Sequence, residues 1–204
     1  MDQHTEVHVS IRDAQAEDVP AMAQLINAYA AQGLMLPRSE EQILRHLSDF
    51  VVAEHSGRIV GCGALARLSP DLAEVRSLAV APEMRGRGIG RALVRHLLEK
   101  ARAAEIAQVC ALTLQPGFFE PLGFRVIDRW DISPKIWQEC IYCPKFHRCD
   151  EIAVLLTFEE VQARSEEPEH EERPLNDFMP LPWRRDFART MGNVVELEET
   201  KQEM

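Results

Sequence analysis

Basic residues are in short supply: 23 Lys and Arg stand against 33 Asp and Glu, a formal net charge of −10 over 204 residues. That acidic excess argues against a nucleic-acid-binding face, which needs concentrated positive charge. No apolar run approaches the ~20 residues that a membrane helix needs. The opening MDQHTEVHVS has neither the basic start nor the apolar stretch of a secretory leader. Only five cysteines occur, and without a leader they fit a reducing cytoplasm better than a disulfide framework. Internal repeats are also missing. What is present is a chain that is 46% hydrophobic, long enough to bury one sizeable core with an appendage.

The charge is unevenly spread. Residues 159–204 hold 13 acidic and 6 basic residues, so this tail carries most of the deficit. A modest basic cluster elsewhere can then dominate the field around an anionic ligand. The tail includes SEEPEHEERP, which cannot bury enough apolar surface to offset the entropy of ordering, and it reads as mostly disordered. Within it FMPLPWRRDF (178–187) is apolar enough to dock on something. The expected organisation is a folded domain over 7–158 and an acidic tail over 159–204.

The folded part alternates strands and helices. Residues 7–12 alternate in polarity as a strand. Helical spacing runs from Ala16 to Gln32, with Gly33 placed to stop it. LMLPR is an apolar connection ending in a cation, and its LPRS end looks mobile. Ser39 then opens a second helix, in capping-box relation with Gln42. Strands over 50–55 and 58–66 are joined by Ser56-Gly57, a hairpin signal. A strand over 73–80, a helix over 88–104 and a strand over 108–114 follow. A short helical segment near 118–122, a strand from Phe124 and a last strand over 152–158 complete the domain. Cys62 and Cys110 lie in strands and read as core. Hairpins in front and a strand–helix–strand unit behind predict a mixed α+β sheet.

The chemistry is concentrated in VRSLAVAPEMRGRGIGRALV. Its centre is Arg85, Gly86, Arg87, Gly88, Ile89 and Gly90, a glycine-rich turn between a strand and a helix. Glycines let the backbone approach a ligand closely. The first helical amides lack internal partners and present a positive dipole end to an anion. Arg85, Arg87 and Arg91 add charge, and the expectation is a pyrophosphate site. A P-loop would need Lys-Ser/Thr after the glycines, where Ile89-Gly90 stands. A dinucleotide fold would put the glycines after the first strand and an acid at the end of the next strand, and Leu112–Leu114 offers none.

LAVAPEMRGRGIGRALV, followed by FFEPLGF at 118–124, resembles the GNAT superfamily of acyl-CoA-dependent N-acetyltransferases. Arg85, Gly88 and Gly90 match its Arg/Gln-x-x-Gly-x-Gly/Ala motif. The resemblance covers roughly residues 9–158. It implies a mixed, mostly antiparallel central sheet flanked by helices, with acetyl-CoA as co-substrate. It also implies pantetheine pairing along Leu78, Ala79 and Val80, and pyrophosphate binding from Arg85 to Arg91. Three segments, 33–52, 61–80 and 131–154, are similar to the short, stand-alone N-acetylglutamate synthases of arginine biosynthesis. They imply L-glutamate as acceptor. Another small anionic amine, or a non-catalytic acyl-CoA-binding module, is the alternative.

Glutamate carries two carboxylates, so its site should hold at least two cations, for which the planar fork of arginine is suited. The candidates are Arg38, Arg76, Lys135, Lys145 and Arg148. The family resemblance favours Arg38, Arg76 and Arg148, with Ser39 as hydrogen-bond partner. Glu74, two strand residues before Arg76 and so on the same face, is the candidate general base. Phe119 stands where many relatives carry a tyrosine acid, which leaves solvent, Thr113 or Tyr142 to protonate the leaving thiolate. Cys140, Cys143, His147 and Cys149 have two readings, a structural zinc or a tight turn packed around Pro144 and Phe146. No metal is expected in catalysis. No nucleic acid or membrane is expected as partner, and a homodimer is left open.

Overall fold

A computed structural model describes residues 8–143 and 145–165; the tail segment 178–187 and Pro144 lie outside them. Seven strands form one sheet in the order β1-β2-β3-β4-β5-β7-β6. They are β1 (Ser10–Asp13), β2 (Phe50–His55), β3 (Arg58–Arg67), β4 (Leu72–Val80), β5 (Gln108–Thr113), β6 (Arg125–Val126) and β7 (Ile152–Thr157). Every pairing is antiparallel except β4 with β5. The helices are α1 (Val19–Ala30), α2 (Glu40–Arg45), α3 (Ile89–Ala103), α4 (Pro116–Phe119), α5 (Ser133–Gln138) and α6 (Glu159–Ser165). The mixed, mostly antiparallel sheet flanked by helices is the architecture expected from the sequence.

Residue parity decides which helix each strand residue meets. Along β2, Val51 and Ala53 pack with Leu93, Val94 and Leu97 of α3. Phe50 and Val52 pack with Met22 and Ile26 of α1 on the other face. This is the two-residue period of a strand covered on both sides. Leu93 and Leu97 are fully buried, and truncating either to Ala would cost about 2–5 kcal/mol. A third cluster joins Leu72, Cys110 and Leu155 to Ile132 beneath the segment that carries α5. Cys62 and Cys110 are buried in these clusters.

Strand β4 breaks the parity. Ala73 and Val75 face α3, whereas Ala79 faces α1. The register against β3 slips between Cys62 and Ala64, and Ser77 on β4 has φ 53°. A bulge of this kind swaps the faces beyond it. Strand β4 also pairs with β5 only over Leu72, Ala73 and Glu74. Beyond Glu74 the two strands diverge, and among the described residues the edge of Val75–Val80 towards β5 has no strand partner.

Three local expectations are revised. The first helix begins as a 3-10 turn, Ala16–Asp18, before Pro20 admits α1. The connection after α1 is anchored rather than loose. Asn27 Nδ2 donates to Arg38 O at 2.8 Å, and Arg38 N donates to Asn27 Oδ1 at 3.0 Å. The folded chain also continues past 158: α6 buries Val161 in the main core, because an apolar side chain in its first turn meets that cluster.

Candidate active site

The gap between β4 and β5 opens a cleft of about 920 Å³. One end is the glycine-rich turn. Gly86 and Gly88 have φ of 76° and 80°, conformations that cost a side-chain-bearing residue about 1–2 kcal/mol. Gly88 caps α3 in the left-handed region, so the unpartnered amides of a fifteen-residue helix open here. A Cβ on Gly90 would meet the Phe118 ring at 3.3 Å. Arg85, Gly86, Gly88, Ile89, Gly90 and Arg91 line the cleft. Arg87 is exposed and stands outside that lining. Arg85 is held by Tyr29: its Nε and Nη2 donate to the Tyr29 hydroxyl at 3.0 and 2.6 Å. That hydroxyl in turn donates to Val80 O.

Leu78, Ala79 and Val80 form one wall, facing Leu112 and Thr113 of β5. Thr113 Oγ1 accepts from Gln115 N at 3.0 Å. Phe119 is buried, stacked edge-on between Phe118 and Phe124. Tyr142 is 78% exposed and does not line the cleft.

At the other end a charged network spans β4 and α5. Glu74 and Arg76 share the face that α5 covers, as their spacing requires. Glu74 is buried, and Lys135 Nζ donates to its Oε2 at 2.8 Å. Lys135 also donates to Glu139 Oε2, and Arg76 Nη1 donates to Glu139 Oε1 at 2.7 Å. Burial pushes the Glu74 carboxyl above its usual range, against the pull of Lys135. Burial would lower Lys135, but Glu74 and Glu139 together hold its ammonium above its ordinary value. Burial and the neighbouring Arg76 depress the half-buried Arg38 guanidinium. Arg38 feels Glu139 and Glu74 through space.

Two expected acceptor groups lie elsewhere. Ser39 Oγ accepts from Gln42 N at 3.2 Å, completing the capping box of α2. Arg148 is exposed and off the cleft, which Lys145 lines instead. Among the described residues, no three His, Cys, Asp or Glu side chains converge as a metal site. Cys140, Cys143, His147 and Cys149 therefore do not form a zinc set. Cys143 N donates to Cys140 O at 2.9 Å across a tight turn, and the Cys149 thiol donates to Glu151 at 3.9 Å.

Glu139 and Asn27 escaped the sequence reading. The only local signal for Glu139 was its i,i+4 spacing from Lys135. Its contact with Arg76 spans 63 residues, and no sequence pattern encodes that.

Known proteins share this architecture. The acetyltransferase (GNAT) domain family matches residues 46–126. An uncharacterised N-acetyltransferase of Chlorobaculum tepidum is 43% identical over 151 residues, 72% of this chain and 95% of the relative. An amino-acid acetyltransferase of Mycobacterium tuberculosis is 39% identical over 132 residues, 63% of this chain and 75% of that one. The N-acetylglutamate synthase of Neisseria gonorrhoeae, solved with coenzyme A and N-acetyl-glutamate, superposes with a TM-score of 0.64 at 30% identity. That match covers 75% of this chain but 36% of the synthase. A Mycobacterium tuberculosis protein solved with CoA and a second ligand gives 0.65 at 34% identity, over 73% of this chain and 99% of its own. With a diverging β4–β5 pair, a glycine turn at a helix start and relatives matched over nearly their whole length, the chain belongs to the GNAT family of N-acetyltransferases.

Proposed function

We propose that the protein transfers acetyl from acetyl-CoA to the α-amino group of a carboxylate-bearing amino acid, with L-glutamate as the acceptor. The observation that carries this reading is a buried carboxylate, Glu74, set beside Arg38, Arg76 and Lys135 in the cleft that ends at Gly88. The named activities of the mycobacterial and neisserial relatives support it. Such a reaction would open arginine biosynthesis.

In this mechanism the diphosphate of CoA docks on the amides at the start of α3, with Arg85 and Arg91 nearby. The pantetheine arm adds to the unpaired edge of β4, which brings the thioester towards Glu74. Arg38 and Arg76 hold acceptor carboxylate. Glu74 takes a proton from the acceptor ammonium, directly or through a water. A carboxyl raised by burial is a stronger base when ionised, and Lys135 keeps the ionised form accessible. The amine attacks the acetyl carbonyl, and a β4 amide near Leu78 or Val80 stabilises the oxyanion. The attacking nitrogen gives up its second proton to solvent, the C–S bond breaks and CoA leaves as thiolate. Phe119 cannot protonate it, so solvent or Thr113, which lines the cleft, serves instead.

The test is CoA release across the amino acids. L-Glutamate should be a preferred acceptor, and Glu74→Gln should lower turnover by about 10²–10⁴-fold. Preference for amines without a carboxylate overturns the acceptor; full activity in Glu74→Gln overturns the base.

A further inference from the structure

Glu139 is an odd occupant for a pocket that receives carboxylates. It is itself a carboxylate, and each of its oxygens already accepts from a cation. Arg76 reaches Oε1 from β4, and Lys135 reaches Oε2 from α5. Burial alone would push its carboxyl up, but Lys135 and Arg76 hold it below the usual carboxylate range. Glu139 therefore stays charged at neutral pH. In effect, the side chain fills one of the carboxylate receptors that the cations create.

The charge balance makes the same point. Arg38, Arg76 and Lys135 face Glu74 and Glu139, a surplus of one positive charge. Nearby, Lys145 lies 3.8 Å from Asp150 and Glu151 adds a further carboxylate, so this part of the cleft supplies no spare cation. Once its amine is deprotonated, glutamate brings two negative charges, whereas glutamine brings one. Glutamate therefore places one more negative charge beside Glu139 than glutamine does.

Resting on the acceptor site proposed above, we infer that Glu139 is a specificity-determining residue: it takes the place of one acceptor carboxylate and sets the balance between acidic and amide side chains. Removing its charge frees Arg76 and Lys135 for the second carboxylate. The effect is directional, because the gain applies to glutamate and not to glutamine.

The test is the ratio of kcat/KM for L-glutamate over L-glutamine, measured on the same preparation of each enzyme. Glu139→Gln should raise that ratio about tenfold or more, the Coulomb effect of one charge several ångströms away, discounted for a side chain 38% exposed. Glu139→Ser, which removes the charge without keeping the shape, should move it the same way. Glu139→Asp keeps the charge and should stay within about threefold of the wild type. A loss of fold or of Glu74 basicity affects both acceptors equally and cancels in the ratio. An unchanged ratio in Glu139→Gln and Glu139→Ser, or an equal shift in Glu139→Asp, overturns the specificity role while leaving amino-acid acetylation standing. If the wild-type protein acetylates neither amino acid, the acceptor site itself is wrong and the role of Glu139 falls with it.

Discussion

Replacing Lys135 with Met removes the ammonium that lies 2.8 Å from buried Glu74 and keeps a chain of similar volume. With the charge centres roughly 4 Å apart and an effective dielectric near 20, the lost attraction is about 4 kcal/mol. That corresponds to about 3 pKa units. Glu74 already sits high through burial, so Lys135→Met should raise it further. The acid limb of the kcat/KM profile should then move up by about 2–3 units. Activity below the shifted limb should fall by up to about 10²–10³-fold, and it should recover as pH rises and Glu74 ionises. The acceptor ammonium titrates equally in both enzymes and cancels in the comparison. Stability follows the same sign. A carboxyl raised on folding stabilises fully below its unfolded pKa and loses that contribution as pH rises through the folded one. The variant should therefore melt closest to wild type at low pH and diverge at high pH. Profiles of CoA release over pH 5.5–10, with thermal melts at both extremes, measure both effects. An acid limb that moves by less than half a unit in a folded variant would refute the electrostatic coupling of Lys135 to the base.

Other consequences are simpler. Gly88→Ala and Gly57→Ala impose similar backbone strain, since both glycines have positive φ and open space at the Cβ position; only Gly88→Ala should weaken CoA binding in calorimetry, by tenfold or so, and equal affinities would remove the diphosphate from that turn. Asp18, buried at the start of α1, accepts from Arg12 at 2.7 and 2.9 Å and from Gln15 N at 2.8 Å, and the Arg12 guanidinium holds its carboxyl below the usual range. Asp18→Asn should cost about 2–3 kcal/mol in urea unfolding at pH 7. That gap should close as pH falls through the depressed pKa, and a gap independent of pH would contradict the pairing. Burial pushes the Cys62 and Cys110 thiols up to about 12, so a maleimide should label only Cys140, Cys143 and Cys149 in the native protein. CoA should slow that labelling, because all three line the cleft; rapid native labelling of Cys62 would mean that its core is open.

Much of the architecture was legible because its signals are short-range. The capping box of Ser39 and Gln42, the Ser56-Gly57 hairpin and the Gly88 start of α3 each act over a few residues, and each appears where the sequence predicts it. The spacing of Glu74 and Arg76 likewise determines that they share a face, since a strand repeats every two residues. The glycine turn was legible for the same reason: a left-handed Gly88 and the unpartnered amides behind it are properties of the local backbone. Other features were decided only when distant segments met. Ser77 adopts φ 53° and reverses the parity of β4, although nothing in its neighbours marks a bulge. Asn27 anchors Arg38 across 11 residues, and so a connection that reads as loose is held. Lys135 and Glu139 reach β4 across 61 and 63 residues. Periodicity reports which face a residue takes, but it carries no information about which element will cover that face. The charge balance around Glu74 is set by that choice of cover, and so it belongs to the tertiary structure alone.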